Sequence, residues 1–276
     1  MEPEDEEFWA PFLAYRPSDR RAERLRTHAR EDARRRQQHP PRRAAALSRE
    51  EIVRAALNVA DAEGPDAINM RRIARELHSG TMSLYWHIRS KEELLDLMID
   101  AIIGEPGVPE PSGDWRADLR AIACSIRDTL HRHQWAVNFM GGRPPLGPKS
   151  LRNLERALSV FDGLDLDKGT AMTTLTAVNT YVLGAVLREL QEMNGEHYMA
   201  EVFAGLSEPE KQALIREFTE RIRGAGQFPH LVAMLAEGID PDAPETRDER
   251  FEFGLDCLLD GIVARLSPGA RTPPPA

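Results

Sequence analysis

Apolar residues recur at three- and four-residue spacing along most of the chain between residues 48 and 266, and alternating apolar and polar runs are nearly absent. Three-four spacing places apolar side chains on one face of a helix, whereas alternation is typical of a half-buried strand. Clusters of β-branched residues are also few. The pattern therefore predicts an all-α protein.

Prolines and glycines divide this helical pattern, because neither residue continues a helix well. Pro40 and Pro41 precede the first predicted helix, and further prolines and glycines lie between the two main helical parts and at the end of the chain. We expect an extension at 1–46, a first helical domain at 47–104, a linker at 105–113, a second helical domain at 114–267 and a Pro-rich tail at 268–276.

Start and stop signals are clearest in the first domain. Ser48 with Glu51 and Ser90 with Glu93 have the spacing of capping boxes, and each pair predicts a helix start. Gly64, followed by a proline, predicts the end of the first helix.

Two shorter helices are predicted between these longer ones. Asn69 can cap the first, residues 78–80 form a turn that contains a glycine, and residues 81–87 form the second. Two short helices joined by such a turn and braced by longer helices have the layout of a helix-turn-helix, whose second short helix enters the major groove of DNA. We therefore expect a three-helix DNA-binding head.

The second short helix carries side chains suited to a DNA groove. Residues able to contact base edges or a thymine methyl group are Thr81, Met82 and Ser83. Residues able to reach phosphate oxygens are Tyr85, His87 and Lys91. In the alternative interpretation, Leu84, Tyr85 and Trp86 are the core side chains of a small domain.

The second domain shows about six helical segments. They are expected at residues 114–133, near Trp135, and at 150–161, 167–191, 207–224 and 245–266. An insert around residues 192–205 would separate two of them, and most of their apolar residues are expected in an ordinary bundle core.

Charge is unevenly distributed. The 276 residues carry a formal net charge of −9, yet residues 16–43 contain eleven arginines and four acidic residues, after an acidic start. This Arg-rich extension would suit contact with a polyanion, and a solvated charged helix is the alternative.

No run approaches the ~20 apolar residues of a membrane span, and the N-terminus lacks the pattern of a signal peptide. We expect a cytoplasmic protein without a membrane partner.

Catalysis and metal binding are not indicated. The sequence has no Gly-rich phosphate loop, no His-Glu-x-x-His and no nucleophile elbow. His131 and His133 are two residues apart, so on a helix they point in different directions. Cys124 and Cys257 are far apart and are expected to be reduced, buried thiols. The chain is predicted to be no enzyme and to hold neither a metal nor a cofactor.

Residues 73–77, Ile-Ala-Arg-Glu-Leu, and 83–95, Ser-Leu-Tyr-Trp-His-Ile-Arg-Ser-Lys-Glu-Glu-Leu-Leu, resemble the tetracycline-repressor (TetR) family. The resemblance implies a homodimeric transcriptional regulator, usually a repressor, that binds a palindromic operator in double-stranded DNA and is released by a small effector. By position it assigns the DNA contacts to Arg71, Thr81, Met82, Ser83, Tyr85, Trp86, His87 and Lys91. One departure is the turn, where the family commonly has Gly-Val-Ser and this chain has His78, Ser79 and Gly80.

A looser resemblance to the C-terminal domain of the tetracycline repressor covers residues 138–144 and 183–187. It implies a ligand-binding and dimerisation domain, with the outer faces of helices 175–190 and 251–266 in a four-helix dimer interface. The family's metal-ligand positions correspond to Phe139, Thr180 and Arg188, and neither Phe nor Arg can supply a ligand to a hard cation. Effector binding is therefore expected to need no divalent metal.

The expected effector pocket suits a small apolar or aromatic compound. Its predicted residues are Ile122, Ile126, Trp135, Phe139, Arg143, Glu155, Thr176, Thr180 and Tyr181. Arg143 would pair with Glu155 by family position or with an acceptor on the effector. The alternative function is a helical adaptor that binds a protein partner through the insert at 192–205.

Overall fold

We describe the protein from a computed structural model, which describes residues 47–105, 107–140, 145–240 and 242–266, without the side chains of 197–199, 201, 202, 208, 215 and 218. All regular secondary structure in these residues is helical, so the all-α prediction is confirmed. The predicted extension at 1–46, the tail at 268–276 and Arg143 lie outside the described residues.

The first four helices follow the predicted order. They are α1 (Arg49–Glu63), α2 (Met70–Glu76), α3 (Thr81–Tyr85) and α4 (Lys91–Ile103). Helix α1 packs against α2 and α4, and α2 packs against α3. Ile52, Ile73 and Met98 from three of these helices have no exposed surface. This shared core holds the short helix α3 in place although five residues could not form a stable helix alone.

Three helices and one 3₁₀ turn follow. They are α5 (Trp115–Arg132), the turn Gln134–Ala136, α6 (Val137–Met140) and α7 (Pro148–Ser159). The predicted boundaries are close to those observed. Asp114 caps α5 by accepting hydrogen bonds from the amides of Arg116 and Ala117.

Helix α4 is joined to α7 by two reciprocal side-chain caps. The buried Asp100 carboxylate of α4 accepts 2.8 Å bonds from the amide and the hydroxyl of Ser150, at the start of α7. In return, Asn153 of α7 donates a 2.6 Å bond to the carbonyl of Ile103, at the end of α4. Each cap satisfies a backbone group that a helix end leaves unpaired. The two helices therefore hold each other in register.

The remaining helices are α8 (Lys168–Val202), α9 (Glu208–Gly224), α10 (Pro229–Ala236) and α11 (Arg247–Leu266). Two expectations were wrong here. The insert at 192–205 does not exist as a separate segment, because α8 continues to Val202 instead of ending at residue 191. Helix α10 was missed because it is short and follows a glycine-rich stretch that reads as a loop.

The chain divides into two compact units, residues 1–179 and 180–276, so the boundary falls within α8. In the described part of the first unit, the largest fully buried side chains lie between residues 52 and 130. In the second unit, Val182, Leu255 and Leu259 are fully buried. The expected burial of the two thiols was wrong, since Cys124 is half-buried and Cys257 is exposed.

Helix α8 has a further property of length and composition. Its first part, Lys168–Glu196, is long and apolar enough to cross a membrane, with a mean hydropathy of 1.3. The same helix buries Val178, Val182 and the acidic Glu189 within the protein. The core helix of a soluble protein passes the same test of length and composition, so the finding is weak support for a span.

Candidate DNA-binding surface

Helix α3 turns one face to the core and the other to solvent. Leu84 and, just beyond the helix, Ile88 have no exposed surface. On the other face, Met82 is 72% exposed, Trp86 56% and Tyr85 45%. Three large, exposed side chains of this kind on one short helix form a patch, and such a patch indicates a contact surface. The core interpretation therefore holds for Leu84 and is wrong for Tyr85 and Trp86.

The other predicted DNA contacts lie on α2, α3 and α4 or directly after α3. Ser83, Arg71 and Lys91 are exposed, and Thr81 and His87 are half-buried. Lys91 is the first residue of α4, where Ser90 caps the helix by accepting the amide of Glu93. The structure thus leaves polar, basic and aromatic side chains on α2, α3 and α4 exposed to solvent.

The turn before α3 is shaped by His78 and not by its glycine. His78 has φ of +50°, whereas Gly80 has an ordinary φ of −74°. The left-handed conformation costs a β-carbon roughly 1 kcal/mol, and only glycine adopts it freely. The family glycine at this position would remove that cost. Here the ring Nδ1 of His78 makes a 3.1 Å hydrogen bond with the carbonyl of Glu76.

Two ion-pair groups brace the head, and sequence reasoning missed both. Glu93 pairs with Arg49 of α1 and accepts a 2.7 Å bond from the amide of Arg89. Glu93 therefore does not complete the expected reciprocal capping box. Its partner on α1 lies 44 residues away, and no local spacing signals such a pair.

The second group is centred on Arg72 of α2. Its guanidinium bonds to Glu63 at the end of α1 and to Glu76 one turn later on α2. The hydrogen bond from Arg72 lowers the pKa of Glu63, and the two carboxylates raise the pKa of Arg72. Arg72 is thus engaged within the head, while the adjacent Arg71 is left exposed. Only the Arg72–Glu76 spacing is visible in the sequence.

The predicted effector residues differ in environment. Ile122 and Trp135 are buried, Ile126, Phe139 and Tyr181 are half-buried, and Glu155, Thr176 and Thr180 are exposed. The rings of Trp135 and Phe139 are in contact, with centroids 6.2 Å apart. The Tyr181 hydroxyl donates a 2.6 Å bond to the carbonyl of Phe251. The predicted set is divided between the two units.

The described residues also contain an open cavity of about 600 Å³ at another place. It lies along the end of α4, the linker and α7, and its lining includes Gly104, Lys149, Arg152 and Glu155. This lining is polar and charged, so the cavity does not suit an apolar effector. Of the predicted pocket residues, Glu155 alone among those described lines it.

Arg188, which occupies the position of a family metal ligand, belongs to a charge cluster in the second unit. The cluster is centred on Glu192 of α8, whose side chain is 6% exposed. Glu192 pairs with Arg188 at 2.8 Å, with Arg250 at 2.5 Å and with Arg247 at 3.4 Å. Arg188 also pairs with Asp242. In the part of the chain that the structure describes, no three His, Cys, Asp or Glu side chains are grouped to hold a metal ion.

Comparison with family models gives two matches. Residues 52–98 match the model described as bacterial regulatory proteins, tetR family. Residues 107–266 match the model described as tetracyclin repressor-like, C-terminal domain. The two matches together cover most of the described residues.

Individual proteins are also similar. The HTH-type transcriptional repressor DrrR1 of Streptomyces coeruleorubidus is 32% identical over 218 residues, which are 78% of this chain and 77% of DrrR1. The structure of ActR from Streptomyces coelicolor in complex with actinorhodin has 30% identity and a TM-score of 0.61, covering 83% of this chain and 100% of ActR. ActR in complex with (S)-DNPA matches at 30% identity and a TM-score of 0.60, covering 80% of this chain and 99% of that one.

Proposed function

Because this chain belongs to the TetR family and is a DNA-binding transcriptional regulator, we propose that it is a repressor whose two recognition helices read a palindromic operator. The observation that carries this proposal is the exposed face of α3 with Met82, Tyr85 and Trp86. These side chains stand on a helix that the head holds firmly by Leu84 and Ile88. A member of this family is a regulator and not an enzyme.

We infer that the protein acts as a homodimer, since two half-sites one helical turn apart need two heads. Helix α11 has an exposed face with Phe253, which is 72% exposed, and Cys257 one turn later. Helix α8 has an exposed face with Met172 and Leu187. The predicted pocket residues Thr176 and Thr180 lie on the same face of α8. These two faces are the outer surfaces that the family resemblance assigns to the dimer.

The effector we propose is a small aromatic or apolar molecule that binds without a divalent metal. ActR, to which this chain is similar, has been solved with actinorhodin and with (S)-DNPA. The paired rings of Trp135 and Phe139 offer an aromatic surface. Metal-free binding is supported by Arg188, which is itself a cation and has two carboxylate partners within the protein.

A conformational change caused by effector binding would be transmitted to the DNA-binding head through α4. Helix α7 is hydrogen-bonded to α4 through the caps of Asp100 and Asn153. A shift of the helices around the pocket would therefore move α4 with them. A change in the spacing of the two recognition helices from ~34–36 Å would then lower operator affinity.

The adaptor alternative loses its support, because the insert on which it rested is part of α8. We place the protein in the cytoplasm, with α8 as a core helix.

The test begins with an operator selected from randomised duplex DNA by the full-length protein. Binding to this duplex and to a scrambled duplex of equal length is measured by fluorescence anisotropy, and actinorhodin is then titrated with and without EDTA. Specific binding that actinorhodin reverses equally in EDTA supports the proposal. Equal affinity for both duplexes would refute operator recognition, and release that needs magnesium would refute metal-free binding.

A further inference from the structure

His133 directly follows α5 and is 7% exposed. Its two ring nitrogens face carboxylates from two different parts of the first unit. Nδ1 lies 2.8 Å from Oδ1 of Asp61, in the last turn of α1, and Nε2 lies 3.1 Å from Oε2 of Glu105, just after α4. The contacts span 72 and 28 residues of sequence.

Both contacts can be hydrogen bonds only when the ring is protonated. A neutral imidazole has one N–H, whereas an imidazolium has two, and an ionised carboxylate only accepts. In the neutral ring, one nitrogen lone pair would face a carboxylate oxygen inside the protein. A buried polar group left without a partner is costly.

The groups around the ring come from four elements. Asp61 from α1 also accepts a 2.8 Å bond from the indole N–H of Trp135, in the 3₁₀ turn. Glu105, which follows α4, has the guanidinium of Arg132 of α5 at 3.5 Å. Each carboxylate therefore keeps one other partner if the ring loses its proton. Protonation gives the ring its second N–H, so that the ring can donate to both carboxylates at once and join them.

These contacts tie both long helices of the head to the end of α5. Helix α1 packs on α2 and α4, and Lys91 at the start of α4 is a predicted phosphate contact. Histidine changes charge between about pH 5 and pH 8. We propose that His133 is a proton-dependent clamp, which joins α1 to the segment after α4 when protonated and thereby makes operator affinity sensitive to pH. The effect on operator affinity rests on the proposed function, whereas the clamp itself does not.

The clamp is tested by urea unfolding of the protein at about pH 6 and about pH 8.5, on either side of the range in which histidine side chains generally change charge. The variant is His133→Gln, and the exposed His230→Gln of α10 is the matched control. Because the second ring N–H exists only in the protonated ring, we expect His133→Gln to lower the folding equilibrium constant about tenfold more at the lower pH than at the higher one. His230→Gln should show no such difference. An equal loss at both pH values would overturn the clamp.

Two further measurements keep the clamp testable if His133→Gln folds poorly. Long-range ¹H–¹⁵N spectra of the wild-type protein should show the His133 ring with both N–H groups at about pH 6, and a neutral ring there would overturn the clamp. In Asp61→Asn/Glu105→Gln, adding His133→Gln should remove no further pH-dependent stability. A full remaining effect would place the relevant partners elsewhere and overturn this assignment.

The operator part is measured on the selected duplex over the same pH range. Between the two ends of this pH range, the operator affinity of the wild-type protein should change by about threefold or more beyond the change seen in His133→Gln. The variant lacks the ring that carries the proton. Parallel pH profiles would overturn the role of the clamp in operator binding. If the wild-type protein bound no duplex specifically at any pH, the proposed function would fail, while the unfolding and spectroscopic results would still decide on the clamp.

Discussion

His78 is the one non-glycine residue with a positive φ among the residues that the structure describes. Glycine should suit this position better than alanine, because both lose the ring bond to Glu76 but only alanine keeps a β-carbon in the left-handed region. We expect His78→Gly to be more stable than His78→Ala by about 1 kcal/mol, measured by urea unfolding. Equal stabilities would show that the turn relaxes.

Lys91 and Ser83 should differ in what they contribute to DNA binding. Lys91→Ala should weaken binding to all duplexes and reduce the slope of log affinity against log salt by about 0.9 per lost phosphate contact. Ser83→Ala should change the base preference of the selected operator, because base contacts specify and phosphate contacts position. The exposed Lys168→Ala is the control for lost charge. An unchanged salt slope in Lys91→Ala would exclude its phosphate contact.

At the residue scale, the sequence predicted local features better than distant ones. The exposed and buried faces of α3 followed from residue types, as Leu84 and Tyr85 show. The partners of His133 could not be predicted, because Asp61 and Glu105 meet it only after the helices have packed. The sequence spacing of His131 and His133 argued against a shared metal but gave no sign of the carboxylates.

Helix starts are the elements that sequence predicted best, because a cap depends on residues three apart. The Ser48–Glu51 box is complete. The Ser90 box is half formed, since Glu93 pairs with Arg49 instead. A distant partner thus changed a local motif without moving the helix start.

The Ser48–Glu51 box should make stability depend on pH. The hydrogen bonds from Ser48 lower the pKa of Glu51 below its ordinary value of 4.5, so the charged form stabilises the folded state. This contribution is fully present above the ordinary pKa and is lost as the pH falls through the folded one. Glu51→Ala should therefore destabilise the protein near neutral pH, and the difference from wild type should shrink on acidification in urea unfolding. Glu50→Ala, one residue earlier and exposed, should have less effect.

The Glu192 cluster should be important for the pairing of α8 with α11. Removing Glu192 leaves Arg247 and Arg250 partly buried without their shared carboxylate. We expect Glu192→Ala to lower the free energy of unfolding by about 3 kcal/mol. Glu217→Ala, which breaks an exposed pair on α9, should change it by less than about 1 kcal/mol. Similar losses in both variants would show that burial adds nothing here.

At the scale of the whole molecule, the proposed dimer is open to a direct test. Phe253 is 72% exposed in the single chain, so a charge there should not disturb the protomer's own core. We expect Phe253→Glu to give monomers in analytical ultracentrifugation and to weaken operator binding by about a hundredfold, since one head reads one half-site. Leu164→Glu, in the loop before α8, is the control. A Phe253→Glu protein that remained dimeric would exclude this face from the interface.

The overall class and the order of helices could be predicted, but the extent of α8 could not. Its spacing weakens after residue 191, where Glu192 and Glu196 face arginines of α11. Glu192 read as the start of an insert, although its side chain is 6% exposed and is an inward contact of the helix. The same stretch therefore suggested a separate partner-binding insert, whereas the structure shows that the helix continues to Val202.

Helix α8 also constrains how this protein can be recombined with its relatives. Its 35 residues run for about 52 Å without a break and belong to both compact units. A chimaera joined at residue 179 would divide this helix between two parents, with the buried Val178 from one parent and the buried Val182 from the other only one turn apart on it. Crossovers at 107–113 or at 203–207 leave the helix whole. Exchange of DNA heads between relatives is therefore structurally easier than exchange of the last two fifths of the chain, which must be inherited with the helix that begins in the preceding unit.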